Sequence, residues 1–200
     1  MVNDKTIIFL HGFFASGSCE PAKALAECFK GKYNVLTPDL PLHPDDALAY
    51  VVELCKKHRP ALLVGNSCGA FYAQMASARL NIPALLSNPY FIMTDFLKER
   101  KGKHRYKSPR ADGNQDFEIT DAMIEEFRNL QARLFADQGE AMVWGIFGDN
   151  DPIAHFEPMF LEHYHTTFHF PGAHTPKAEE IREYYVPIIE RMMGEVKNEK

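Results

Sequence analysis

The pentapeptide Gly65-Asn66-Ser67-Cys68-Gly69 has the residue types and spacing best suited to covalent chemistry, a serine flanked by two glycines. It follows the apolar run 61–64 and precedes a helical pattern that begins at Ala70. A strand, a sharp turn and a helix form a nucleophile elbow, in which the serine hydroxyl faces open space. The glycines remove side chains that would collide across the turn. The pattern therefore predicts Ser67 as a nucleophile.

A serine hydroxyl is a weak nucleophile and needs a base to take its proton. A short loop after the last strand pattern carries His174, which predicts this base at the same edge of a parallel sheet as Ser67. Asp149 and Asp151 both lie just beyond the strand pattern at 141–147. Either carboxylate could accept the Nδ1 hydrogen of the base and stabilise the imidazolium that forms.

The chain order of serine, acid and histidine resembles that of the α/β-hydrolases, and the resemblance spans about residues 6–190. The small size, the opening His11-Gly12-Phe13 and the tripeptide Ser87-Asn88-Pro89 are similar to the small YqiA/YcfP-type esterases. The resemblance implies a minimal α/β-hydrolase fold. This is a three-layer α/β/α sandwich with a mostly parallel sheet of about six strands, and it has a small cap or loop excursion after the fourth strand.

The same resemblance implies roles for individual residues. Related hydrolases often place the acid in a G-x-x-D-P-like turn, which favours Asp151 before Pro152 and leaves Asp149 as the alternative acid. The backbone N–H groups of Cys68 and Phe13 are the expected oxyanion donors, with Phe14 as an alternative to Phe13. The resemblance also implies that His11 supports the oxyanion loop and is not the base. Two interpretations are open for a further set of apolar residues: they line an apolar acyl site, or they pack in the core. These residues are Phe13, Phe14, Phe91, Met93 and Phe96.

The rest of the sequence supplies the elements that must position these residues. Short apolar runs, most of them apolar on both faces, predict strands of a parallel sheet covered by helices. These runs are Thr6–Leu10, Asn34–Thr37, Ala61–Val64, Ala84–Ser87, Ala141–Phe147 and Thr166–Phe170. Helices are predicted over Pro21–Phe29, Pro44–His58, Thr120–Phe135 and about Pro176–Met193. Because strands and helices alternate, the crossovers should be right-handed and residues 1–200 should form one domain.

The excursion, residues 90–120, breaks this alternation and shows no clean strand. Its window 98–110 holds seven Lys or Arg residues against Glu99 alone. Two interpretations follow: a solvated, partly mobile loop, or a basic lid that attracts anionic acyl substrates.

Bulk composition narrows the classes of function. The chain has 200 residues and a net charge of −5, which argues against a nucleic-acid binder. No apolar stretch approaches the roughly 20 residues of a membrane span. The N-terminal segment 1–5 leads straight into a strand with no signal peptide, so reduced cysteines and a cytoplasmic location are expected. No cofactor is expected, and the spacing of His155, His163, His165 and His169 does not favour a metal site.

Three functions are compatible with these residues. The leading one is a serine carboxylesterase or thioesterase that cleaves small acyl esters through an acyl-enzyme. The alternative is a hydrolase-fold interaction protein with weak or no turnover, since fold does not fix function. The third is an amidase or peptidase, for which no feature of the sequence speaks. The physiological substrate and the oligomeric state are left open by the sequence.

Overall fold

The computed structural model describes residues 5–137 and 139–195. Met1–Asp4, on which the expectation of no export signal partly rested, lie outside this range. The strands of the main sheet are β1 (Thr6–Leu10), β2 (Asn34–Leu36), β3 (Leu62–Asn66), β4 (Ala84–Ser87), β7 (Val143–Gly148) and β8 (Thr166–Phe170). The larger helices are α1 (Glu20–Cys28), α2 (Pro44–His58), α3 (Cys68–Leu80), α5 (Asp121–Gln131) and α8 (Val186–Glu195), and a short helix, α6 (Glu157–Leu161), lies between β7 and β8.

The main sheet has six strands in the order β2-β1-β3-β4-β7-β8, and every described pairing within it is parallel. This confirms the predicted α/β sandwich. Because neighbouring strands are parallel, their carboxyl ends meet at one edge, where ligands bind in open α/β sheets. Ser67 follows β3 at that edge, the segment 149–151 follows β7, and His174 follows β8 by a short loop.

Alternate residues of the central strands enter opposite layers of the core. On one face, Ile8 and Leu63 pack with residues of α2, α3 and α5; on the other, Ile7 and Leu62 pack with α1 and α8. All four of these side chains are fully buried. Burial on both faces explains why the strands read as continuous apolar runs rather than as an alternating pattern.

Two helices follow their sequence signals closely. Helix α2 begins at Pro44 and ends at His58, and Arg59 after it adopts a left-handed φ of 45°. Helix α5 is capped by Thr120, whose hydroxyl accepts from the Met123 N–H at 3.3 Å. It ends at Gln131, four residues earlier than predicted, because the following residues form turns and reach a positive φ at Phe135.

The last predicted helix is divided. It consists of a short turn α7 (Ala178–Glu180), a π-helical stretch (Ile181–Tyr185) and α8. The π-helical stretch buries Tyr185, whose hydroxyl lies 2.6 Å from the Ser87 Oγ at the end of β4. The wider π-helical turn thus places the Tyr185 hydroxyl at the edge of the sheet while the aromatic ring stays in the core.

The prediction of no clean strand in the excursion was wrong. The excursion carries a short helix, α4 (Met93–Lys98), and an antiparallel pair, β5 (Gly102–Arg105) with β6 (Asp116–Ile119). Only β6 shows alternation, with Phe117 and Ile119 buried and its other residues exposed. β5 is polar and charged after its glycine, so it offers no hydrophobic periodicity to read.

Among the described helices, none combines the length and the apolar character that crossing a membrane requires.

Candidate active site

Ser67 occupies a strained turn between β3 and α3. Its φ of 57° and ψ of −120° lie in a region that costs a non-glycine residue roughly 1–3 kcal/mol. The turn is also tight: a Cβ on Gly65 would lie 2.5 Å from the Gly69 carbonyl oxygen, and a Cβ on Gly69 would lie 2.0 Å from the Leu10 carbonyl oxygen. Both glycines are therefore required by contact with backbone, as the G-x-S-x-G pattern indicates.

Three of the predicted site residues form one hydrogen-bonded chain. His174 Nε2 lies 2.8 Å from Ser67 Oγ, and His174 Nδ1 lies 2.7 Å from Asp151 Oδ2. The other oxygen of Asp151 accepts from the N–H groups of Ile153 at 2.9 Å and Ala154 at 3.0 Å. The carboxylate is thus fixed from both sides.

The protonation of this chain follows from the acid. Burial opposes ionisation of Asp151, but the hydrogen bonds from His174 and the two backbone N–H groups outweigh it and lower the pKa of this carboxyl. An ionised carboxylate can only accept, so His174 Nδ1 carries a hydrogen, and in the neutral imidazole Nε2 is then the acceptor. The Ser67 hydroxyl therefore donates to Nε2, which is the orientation that proton abstraction requires.

Asp149, the alternative acid, has a different partner. It lies 3.0 Å from Nδ1 of His169, whose Nε2 lies 3.0 Å from Glu157. Desolvation acts against protonation of His169, but its two carboxylate partners prevail and raise its pKa. Since Asp149 and Glu157 flank the segment that carries Asp151, His169 ties the two ends of that loop together.

Two asparagines that the sequence analysis assigned no role hold the histidine loop. Asn88 donates to the carbonyls of Ala173 at 2.9 Å and His174 at 3.0 Å, and accepts from the Gly148 N–H at 2.7 Å. Asn66 donates a third bond to this loop, to the His174 carbonyl at 3.2 Å. Asn88 is buried and has a φ of 40°, which asparagine tolerates better than most residues. The available signal was a polar Asn-Pro pair directly after an apolar strand.

The His11-Gly12-Phe13 loop lies against the elbow. A Cβ added to Gly12 would lie 3.4 Å from the Ser67 Cβ. His11 is buried, accepts from the Leu40 N–H at 3.0 Å through Nε2, and donates from Nδ1 to the Gly12 carbonyl at 2.9 Å. Burial lowers its pKa to about 4, so this histidine is neutral at pH 7 and braces the loop.

Cys68 follows the serine and begins α3, so its N–H has no partner within the helix. Its thiol points into the core, where burial raises the pKa to about 12. A thiol with that pKa is inert at neutral pH, which leaves the backbone amide as the group that Cys68 offers the site. Each of the four cysteines is a free thiol.

A cleft of about 120 Å³ opens over Ser67 and His174. Phe13, Phe14 and Phe96 line it, as the apolar acyl-site interpretation expected. Phe91 and Met93, also candidates for that site, are at most 1% exposed and belong to the core instead. Within residues 5–137 and 139–195, no group of three or more His, Cys, Asp or Glu side chains is arranged to hold a metal ion.

The excursion is bonded to the loop that follows Phe13 and Phe14. The Ser16 N–H donates to Ser108 Oγ at 2.8 Å, and the Ser16 hydroxyl donates to the Pro109 carbonyl at 2.7 Å. Asp39 joins the same two segments, accepting from the N–H groups of Gly17 and Ala111, each at 2.7 Å. One wall of the cleft is therefore built jointly by the excursion and the loop after β1.

Comparison with known proteins places this chain in a family and a fold. The sequence profile of UPF0227, described as an uncharacterised protein family, matches residues 6–167. Mouse alpha/beta hydrolase domain-containing protein 10 superposes with a TM-score of 0.70 at 13% identity, covering 100% of this chain and 92% of its own. The Paleococcus ferrophilus monoacylglycerol lipase gives 0.70 at 16% identity, covering 94% of each chain. Est1E from Butyrivibrio proteoclasticus gives 0.71 at 14% identity, covering 95% of this chain and 88% of its own. At these identities the likeness shows the α/β-hydrolase fold.

Proposed function

The chain belongs to the UPF0227 family, and we propose that it is a serine hydrolase that cleaves carboxylic esters or thioesters through an acyl-enzyme on Ser67. The observation that carries this proposal is the continuous hydrogen-bonded chain from Ser67 through His174 to Asp151. Its direction is set by an ionised acid, and its serine sits in a strained turn of the kind that clusters at active sites. A protein that only bound a partner would have no need of either feature.

In acylation, Ser67 Oγ attacks the carbonyl carbon of the substrate while His174 Nε2 takes the hydroxyl proton. Asp151 stays ionised and stabilises the imidazolium across its 2.7 Å hydrogen bond. The tetrahedral intermediate then collapses: the bond to the leaving oxygen or sulfur breaks, and His174 gives that atom the proton. An alcohol or thiol departs, and the acyl group remains on the serine.

Deacylation repeats the sequence with water. His174 removes a proton from a water molecule that attacks the acyl carbon, and the proton is then returned to Ser67 Oγ. The products are a carboxylic acid and the regenerated serine. No cofactor or metal is needed for either half-reaction, because the leaving group is expelled with a proton from His174.

The oxyanion of both intermediates would lie against backbone donors. The N–H of Cys68 has no helical partner, and the N–H of Phe13 belongs to the loop whose Gly12 touches the elbow. Preorganised N–H donors of this kind contribute roughly 3–4 kcal/mol each to transition-state stabilisation. The neutral His11, whose ring makes two hydrogen bonds, supports this role by holding the loop in place.

The apolar lining favours esters with an apolar portion near the carbonyl. Phenylalanine side chains form much of the wall, and Ile153 and the histidine loop also line the cleft. A series of nitrophenyl esters of increasing acyl length, with matched thioesters and one anilide, would define chain length and leaving group. An anilide cleaved as fast as the esters would move the activity to the amidase class.

Labelling with a fluorophosphonate probe tests the nucleophile directly. One adduct per chain is expected, and Ser67→Ala should abolish it. Ser18→Ala is the matched control, because its hydroxyl lies in the neighbouring loop and bonds to the Pro109 carbonyl. Labelling that persists in Ser67→Ala, or that disappears in Ser18→Ala, would remove the basis of the proposal.

A further inference from the structure

One basic side chain of the excursion stands apart from the others. Lys107 lines the cleft together with Ser67 and His174, and no other Lys, Arg, Asp or Glu is among the described residues of that lining. The remaining walls are mostly apolar. A cation in such a wall is the group that a substrate anion would meet on entering the site.

Most of the excursion's other cations are already paired with carboxylates. These ion pairs are Lys98–Asp95 at 3.2 Å, Arg100–Glu99 at 3.3 Å, Lys101–Asp121 at 2.8 Å, Arg105–Asp116 at 3.4 Å and Arg110–Asp112 at 3.3 Å. Residues 93–121 hold seven basic and six acidic side chains. The excess positive charge of residues 98–110 is therefore largely cancelled by carboxylates on either side and in the fold. Within the described chain only Lys103 and Lys107 of this set have no carboxylate partner.

Lys107 is held in place by its backbone. Its N–H donates to the Phe14 carbonyl at 2.8 Å, and its neighbour Ser108 is bonded to Ser16. The ammonium group lies 5.8 Å from the centre of the Phe14 ring, above the aromatic wall of the cleft. The backbone that carries this charge is therefore hydrogen-bonded to the loop that holds Phe13 and Phe14, and the ammonium group lies over one of the two rings.

We propose that Lys107 forms an anion subsite, and that the substrates of this enzyme are esters or thioesters bearing a carboxylate or a phosphate group. This inference rests on the proposed function, since it names the substrate class of the same site. The anion pairs with the ammonium group while the apolar part of the substrate lies along Phe14 and Phe96. Recognition is short-range: the net charge of −5 would repel an anion at a distance, and paired surface cations would not offset it.

Binding to a Ser67→Ala background tests the subsite without turnover. Monobutyl adipate, which carries one carboxylate, is compared with its neutral methyl ester by calorimetry. The anion should bind roughly fivefold more tightly, the effect of a well-placed and partly exposed ion pair. Adding Lys107→Met should remove the difference and Lys107→Glu should reverse it. Lys103→Met is the matched control, because it removes an equally unpaired charge from the same excursion outside the cleft.

The same comparison is then made in catalysis. The ratio of kcat/KM for mono-4-nitrophenyl adipate to that for its methyl ester should fall to about one in Lys107→Met and stay at the wild-type ratio in Lys103→Met. Hexanoate and hexyl phosphate, used as competitive inhibitors, distinguish a carboxylate-binding from a phosphate-binding subsite. Stronger inhibition by one of them, lost in Lys107→Met, identifies the group.

Each result decides the matter. Equal binding of the anion and the neutral ester by Ser67→Ala overturns the subsite. An equal loss of the preference for the anion in Lys103→Met and Lys107→Met also overturns it, because the preference would then come from the overall electrostatic field of the protein. If the anion binds selectively through Lys107 but no ester is hydrolysed and no probe adduct forms, the proposed hydrolase function fails while the subsite stands.

Discussion

Replacing Asp151 by asparagine should abolish most catalysis while leaving the shape of the site intact. The side-chain oxygen that accepts from Ile153 at 2.9 Å and Ala154 at 3.0 Å must remain an oxygen, because an amide NH₂ there would face two N–H donors. The NH₂ is therefore turned towards His174 Nδ1, at the place where Oδ2 now lies 2.7 Å away. Nδ1 must then accept, and its hydrogen moves to Nε2.

That tautomer directs an N–H at Ser67 Oγ, 2.8 Å away, so the serine loses its base. In the flipped orientation of the amide, two backbone hydrogen bonds would be lost, at about 0.5–1.5 kcal/mol each. The NH₂ group would also face the N–H groups of Ile153 and Ala154, donor against donor. The imidazolium of the transition state also loses its anionic partner. Together these effects predict a fall in kcat of about 10⁴, equivalent to about 5.5 kcal/mol.

The assay is the turnover of 4-nitrophenyl butyrate, with circular dichroism and thermal unfolding to check the fold. Asp149→Asn is the control: its partner His169 is about half exposed, and the loss should stay within about threefold. A large loss in Asp149→Asn with near-normal turnover in Asp151→Asn would make Asp149 the acid and refute the reasoning. Equal, small losses in both variants would refute the triad.

Two further predictions concern the supports of the site. Asn88→Ala removes the donors to Ala173 and His174, so kcat should fall about 10- to 100-fold, and stability by about 2–3 kcal/mol, measured by ester turnover and urea unfolding. Asn88→Gly, which relieves the positive φ but also lacks the amide, should be more stable than Asn88→Ala and equally low in kcat, and unchanged kcat in both variants would contradict the positioning role. The pKa of His11 is about 4 when folded and 6.5 when unfolded, so between these values the unfolded chain binds more protons and acid favours unfolding. Lowering the pH from 7 to 4 should therefore cost about 3 kcal/mol of unfolding free energy, an effect absent from His11→Gln and measured by urea unfolding across that range. Equal acid sensitivity of both proteins would place its source elsewhere.

The sheet and the placement of the serine were predictable because their signals are local. Residues 62–65 are apolar and buried, and the glycines on either side of Ser67 are required by close contacts with backbone atoms. The bounds of α2 were readable for the same reason: proline at its start and acidic residues in its first turn are themselves local signals.

The supports of the site were not predictable in the same way. β5 is a short polar strand whose partner lies more than ten residues away, so no apolar period marks it. Asn88 is one polar residue whose three partners lie 60 to 86 positions further on. Asp149 and Asp151 are only two residues apart in one loop, so the sequence could not decide which of them reaches His174. In the fold, Asp151 contacts His174 and Asp149 contacts His169.

The bonds between the excursion and the loop after β1 determine how a substrate can enter. If the excursion swung outward to admit a ligand, the bonds from Ser16 and Asp39 would carry the loop containing Phe13 with it. The N–H of Phe13, which we propose as an oxyanion donor, would then be withdrawn at the moment of entry. We therefore expect substrates to enter past the part of the lining that these bonds do not tie down, which includes Ile153 and Thr175. A bulkier side chain in place of Ile153 should then narrow this entrance, which a series of esters with alcohols of increasing width would detect.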